Sequence, residues 1–269
     1  MSACSGESST PVQVDPGQPD TGVLFGVLSI QEHAGKRVID AWFTDNDVAR
    51  LPVAADWLHE LDSCNLVYQQ GESAAGKLWE RAAADAPLDW RHTRSVGDKL
   101  FLSSRGGNYA TLQIQQHGSL IVYSTPQRWF SIPIPTDTTL EIPGSEQFHS
   151  LTQLGIQPLQ PLIMLSPADA ILANPGDAIT WQPSAHPGDR VTLLVSVIGD
   201  NDTELADGTL HCTLEDDGSF TLPIALQTKL EKSVHSIAVF LSRERRTMHV
   251  AGDSGLRVIQ SSYSQPDAP

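Results

Sequence analysis

The sequence predicts an all-β protein of two β-sandwich domains, the second immunoglobulin-like, with at most short helices. Short runs rich in Val, Ile, Leu, Thr and Phe recur along most of the 269 residues. Turn residues separate those runs at short, fairly regular intervals, which is the pattern of a sandwich. Neither heptads nor a fixed-period repeat is present, and the length suits two domains of about 100–150 residues each. The expected divisions are a linker at 1–21, an N-terminal sandwich at 22–157, a C-terminal sandwich at 158–263 and a tail at 264–269.

Residues 1–21 hold Ser, Thr, Pro, Gly, Asp and Gln with only Val12 and Val14 as larger apolar residues after Met1. Such a segment cannot bury enough surface to offset its ordering entropy, so it reads as a flexible tether. An apolar run at 22–30 and a second at 36–43, joined across Ala34-Gly35, predict a hairpin. The stretch 48–60, with Pro52, Trp57 and Leu58, is ambiguous between a loop and a short helix. Further strands are expected at 61–69, 77–80, 99–103, 109–115 and 120–124. Ile132-Pro133-Ile134-Pro135 must be extended, because proline disfavours helix in its predecessor and cannot donate to a ladder.

The Pro-rich stretch 158–167 suits a stiff connector or an edge strand. After the Asn174-Pro175-Gly176-Asp177 turn, strands are expected at 178–181 and 190–198. The runs 209–215 and 219–222 flank Asp216-Asp217-Gly218 and predict a hairpin. Pro223 then opens two helical turns to 230, and strands at 234–243 and 256–261 finish the body.

Lys and Arg number 17 against 32 acidic residues, a formal net charge of -15. That balance repels phosphate backbones, so nucleic acid is excluded as a partner and anionic lipid is not held electrostatically. With 40% hydrophobic residues the chain can bury a core, and no run is long enough to span a membrane as a helix. Membrane attachment would require a covalent anchor.

No catalytic residue, cofactor or metal site is assigned from the sequence. Gly252-Asp253-Ser254-Gly255 has the form of the nucleophile loop of chymotrypsin-like proteases, but too little chain follows it to complete that barrel, so it reads as a turn. Asp200, Asp202, Glu204 and Asp207 crowd one stretch. An EF-hand opening at Asp200 would need glycine at Leu205 and glutamate at His211, so the stretch reads as an acidic turn, with a calcium loop as the alternative. His186 and His211 flank predicted strands, with nothing in the sequence to join them. Arg243-Glu244-Arg245-Arg246 reads as a solvated loop, or else a docking spot for an acidic partner. Trp42 and Trp181 lie within strands and read as core. Trp79, Trp90 and Trp129 lie near turns, where exposed rings could stack on a glycan or anchor a protein.

Met1-Ser2-Ala3-Cys4, followed by Ser5-Gly6-Glu7-Ser8-Ser9, looks like the junction at which bacterial lipoproteins are cleaved and lipidated. Met1 stands where that pattern usually has leucine, and Ser5 looks like outer-membrane sorting. If Cys4 carries lipid, Cys64 and Cys212 remain as a pair. They fall in different expected domains and read as two small buried thiols, a bridge being the alternative.

The body resembles uncharacterised two-domain lipoproteins of proteobacteria. The resemblance rests on the Cys64 strand, Ser73-Ala74-Ala75-Gly76-Lys77-Leu78, Ile142-Pro143-Gly144, Ile179-Thr180-Trp181, and the run from Cys212 through Phe220 before Pro223. It implies a location in the cell envelope, periplasmic or at the outer membrane, and attaches no activity. The expectation is a membrane-tethered extracytoplasmic lipoprotein whose signal peptide is removed. It would act as a non-enzymatic binding or envelope-interaction module for an unknown protein or glycan. The alternative is an envelope-acting hydrolase whose site gathers distant Asp, Glu or His residues.

Overall fold

The computed structural model describes residues 24–44, 62–68, 93–117, 120–127, 130–198, 208–230 and 236–264, and over these the chain is nearly all β. The first hairpin is built from β1 (Phe25–His33) and β2 (Lys36–Thr44). Its two turn residues, Ala34 and Gly35, have φ of 51° and 69°. Positive φ at both positions is what a two-residue turn needs to match the twist of its strands.

The next strands are β3 (Ser63–Tyr68), β4 (Lys99–Ser104), β5 (Gly107–His117), β6 (Leu120–Ser124), β7 (Thr139–Ile142) and β8 (Leu151–Gly155). Three short strands follow: β9 (Met164–Ser166), β10 (Ile171–Leu172) and β11 (Ile179–Trp181). The remainder is β12 (Arg190–Ile198), β13 (Gly208–Glu215), β14 (Ser219–Phe220), helix α1 (Ile224–Leu230), β15 (Ser236–Ala251) and β16 (Ser254–Tyr263).

One large mixed sheet runs β3-β13-β12-β15-β16-β1-β2-β6-β5-β4-β7-β8, with β10 paired to β15. A smaller sheet has the order β14-β11-β9. The chain's two halves are joined within the large sheet: β1 pairs in parallel with β16 from Phe25↔Gly255 to His33↔Tyr263. Hydrogen-bonded ladders therefore run without interruption past the division expected near residue 158.

Strand alternation places two apolar cores on one face of this sheet. Leu28, Ile30, Leu256 and Val258 pack with Leu100, Leu112, Leu140 and Ile142 from the far limb of the sheet, and Phe43 fills the middle of that cluster. Its ring sits edge-on to Tyr123 and Phe148. The second cluster joins Val191, Leu193, Cys212, Leu214, Val239 and Leu241 to Trp181, Ile179 and Leu172 beneath the smaller sheet. Trp42 is buried as read, in a third small cluster with Val27 and Ile259.

Two expectations are corrected. Cys64 and Cys212 are bridged, and their residues face each other directly across the β3–β13 ladder. Although β3 lies between β2 and β4 in sequence, it is the edge strand beside β13, so non-local pairing brings the two thiols together. The expected hairpin across Asp216-Asp217-Gly218 does not close either. Instead β13 stays in the large sheet while β14 pairs with β11. Gly218, at φ 101°, accepts the Trp181 N–H at 2.9 Å and turns the chain from one sheet to the other.

Two measurements check this architecture. A Cβ on Gly26 would lie 2.5 Å from the Phe43 ring, so Gly26→Ala should lower the unfolding free energy by about 1–3 kcal/mol through overpacking, read in a urea titration. A Cys4→Ala variant, unfolded without reductant, should yield no free thiol, and prior reduction should release both Cys64 and Cys212.

Candidate functional site

Between the two cores, the face of the large sheet is polar. Along β15 the residues facing inward are Ile237, Val239 and Leu241, and then Arg243 and Arg245. Their neighbours on β16 are Ser262 and Gln260. Over this belt crosses the connector 156–163, whose Pro158 and Pro161 have no N–H to give. Its carbonyls need donors from the sheet. Gln260 Nε2 donates to Gln157 O at 2.9 Å, Arg243 Nη1 donates to the carbonyls of Gln160 and Pro161, and the Ser262 hydroxyl accepts the Leu162 N–H.

Arg243 is fully buried and every one of its N–H groups is engaged. Nε and Nη2 fork onto the Asp216 carboxylate at 2.6 and 3.1 Å, and Nη2 also reaches Gln182 O. The same carboxylate accepts the Trp181 indole N–H at 2.8 Å. Arg245 forks through Nε and Nη2 onto Asp189, at 2.6 and 2.9 Å, and the Ser184 hydroxyl donates to that carboxylate too. His186 Nδ1 accepts the Gly188 N–H and lies 3.5 Å from the Asp189 carboxylate.

Beside the connector opens a cleft of about 670 Å³. One wall is the hairpin and the extended run Pro133–Thr136, the other is the loop 184–187 with Arg245, and Gln157–Pro161 forms the floor. On the hairpin wall Arg37 donates through Nη2 to Glu32 at 2.6 Å and through Nη1 to Ile132 O at 3.2 Å. The Tyr109 hydroxyl donates to the same carbonyl at 2.7 Å. Burial pushes the Tyr109 hydroxyl up to about 12, against the lowering by Arg37 and with a smaller push from Glu32. Burial and the Glu244 carboxylate likewise hold Tyr263 up to about 12, while a hydrogen bond from Ser261 works the other way.

The expected site residues fare unevenly. Cys4, Trp79, Trp90 and Trp129 lie outside the described residues, as does the acidic stretch 200–207. The Arg243–Arg246 run is neither a solvated loop nor a docking spot, since it lies inside a 16-residue strand and Arg243 and Arg245 are buried on carboxylates. Gly252-Asp253 is a turn between β15 and β16, as read; the Ser254 hydroxyl is buried and accepts the His149 backbone N–H at 3.2 Å. His186 borders the cleft, whereas His211 lies on β13 between the core-facing Leu210 and Cys212 and so projects from the opposite face. Among the described residues no three His, Cys, Asp or Glu side chains are grouped to hold a metal ion.

The cleft's residues escape sequence reading because they come from six separate stretches of chain. One signal was present: Arg243 and Arg245 continue the odd-numbered apolar positions 237, 239 and 241, so both had to face the core side of a strand. Against known proteins, the chain matches no family model, no curated protein and no solved structure.

Arg243→Met should cost about 3–5 kcal/mol, because it strands the buried Asp216 carboxylate and the connector's carbonyls; a urea midpoint lowered at unchanged slope is the expected reading. Alkali should act through the tyrosines. Between their ordinary value of 10.0 and about 12, Tyr109 and Tyr263 hold protons in the native state that the unfolded chain has released. Stability should therefore fall as pH rises through that window. Tyrosinate absorbance should show part of the phenol ionisation delayed until unfolding.

Proposed function

We propose that this chain is a membrane-tethered, extracytoplasmic lipoprotein of a bacterial envelope, acting as a non-enzymatic binding module for an envelope protein or glycan. The observation that carries the reading is the Cys64–Cys212 bridge. Bridges of this kind persist in oxidising compartments and are rare where glutathione and thioredoxin keep thiols reduced. The acidic balance supports the anchor indirectly. A chain of net charge -15 gains nothing from an anionic lipid surface, so residence at a membrane calls for a covalent lipid such as Cys4 would carry. The cleft between the two cores is a concavity open to a ligand among the described residues, with apolar walls and a few convergent polar groups.

Expressed from its own gene in cells fed a palmitate analogue, the protein should take up label and fractionate with membranes. Cys4→Ala should abolish both; label that persists in that variant would overturn the anchor. A pull-down from the parent envelope with disulfide-intact protein should capture a partner that is lost after reduction and alkylation.

A further inference from the structure

From the chemistry of the cleft we infer that its occupant is an extended, uncharged peptide segment, an inference that rests on the binding-module reading and names the ligand class. Two guanidinium groups line the cleft, and both are largely buried, with side-chain exposures of 10% for Arg37 and 7% for Arg245. Arg245 commits Nε and Nη2 to Asp189, and its Nη1 has no protein acceptor among the described residues. Arg37 commits Nη1 and Nη2, and its Nε is likewise without an acceptor among them. Neither N–H is sealed from solvent, so both stay open to a ligand that supplies an acceptor.

Charge decides what kind of acceptor. Each arginine is already neutralised by its own carboxylate, Glu32 or Asp189. The cleft therefore offers N–H donors without net positive charge, inside a protein of net charge -15. An anion would meet Glu32 and Asp189 without an unpaired cation to offset them; a neutral carbonyl meets only the donors. Acceptors lie alongside. Glu32 uses one oxygen on Arg37, and Gln260, donating through Nε2 to Gln157 O, keeps its amide oxygen for a donor. Donors and acceptors intermixed between proline and aliphatic walls fit a peptide backbone with small apolar side chains. A glycan would want an aromatic platform, and the described lining residues include no Phe, Tyr or Trp.

The test uses the full, disulfide-intact chain and follows the guanidinium Nε–H resonances of Arg37 and Arg245 by heteronuclear NMR. The probe is a pool of end-capped tetrapeptides of Ala, Leu, Val and Pro. Saturable shifts of both resonances are expected. Ala185→Trp, an exposed position on the rim, should weaken them about tenfold or more by filling the mouth. Arg245→Lys, which keeps the charge facing Asp189 but loses the Nη1 donor, should weaken binding while the protein stays folded by near-ultraviolet dichroism. Peptides that move neither resonance, or that bind Ala185→Trp as well as the parent, overturn the inference. So does a neutral chitin tetrasaccharide that shifts the resonances where the peptides do not. A failed peptide titration beside an envelope partner captured equally by the parent and Ala185→Trp would sink the cleft alone. Capture by neither would sink the binding-module reading.

Discussion

The buried guanidinium of Arg243 is the constraint on which the middle of this molecule depends. A connector rich in proline has carbonyls to satisfy and few N–H groups with which to form ladders of its own. Laid across a sheet of Val and Leu it would leave those carbonyls dry. Arg243 meets two of them, together with Gln182 O, and its remaining bonds fasten the Asp216 turn. Asp216 in turn holds the indole of Trp181 at the floor of the second core. One side chain thus links β15, the connector, the smaller sheet and the turn that passes between sheets. Such a network is tolerated in an interior because it is complete; half of it would be worse than none.

The belt around Arg243 also explains how one sheet serves two cores. Inward-facing apolar residues lie at one end of the β15–β16 ladder on β15 (Ile237, Val239, Leu241) and at the other end on β16 (Leu256, Val258). Arg243, Arg245, Gln260 and Ser262 lie between them, with groups that bind the connector or the 184–189 loop. The cleft lies where the connector leaves part of this belt uncovered. Its polar character is a by-product of the joint, and its walls are those of the two packed units beside it.

Much of the local structure could be read from the chain. Ala34-Gly35 between two β-branched runs specified the first hairpin, and 190–198 specified a long central strand, because periodicity and turn chemistry are local properties. The all-β class follows from the same signals. Pairing partners did not follow, since they are set by surfaces far apart in sequence. That is why 63–68 was not placed beside β13, and why Cys64 and Cys212 were read as separate thiols. Asp216-Asp217-Gly218 was read as a hairpin because its composition fits one; what redirects it is Arg243 and Trp181, residues remote in the chain. The four charged residues 243–246 were read by composition when their parity within the strand carried the information. Of the candidate site, only that parity was legible beforehand. Cys4, Trp79, Trp90 and Trp129 fall outside the described residues and stand where the sequence left them.

The parallel pairing of β1 with β16 has a consequence for biogenesis. The strand that opens the described chain cannot gain its second neighbour until β16 exists. Core residues of β1, Leu28 and Ile30, pack with Leu256 and Val258 on that late strand. A ribosome-bound chain that has not reached β16 therefore lacks the ladder that closes the first core, and such non-local closure is slow. The topology thus withholds the closed first core until β16 has been made, whatever has folded before it.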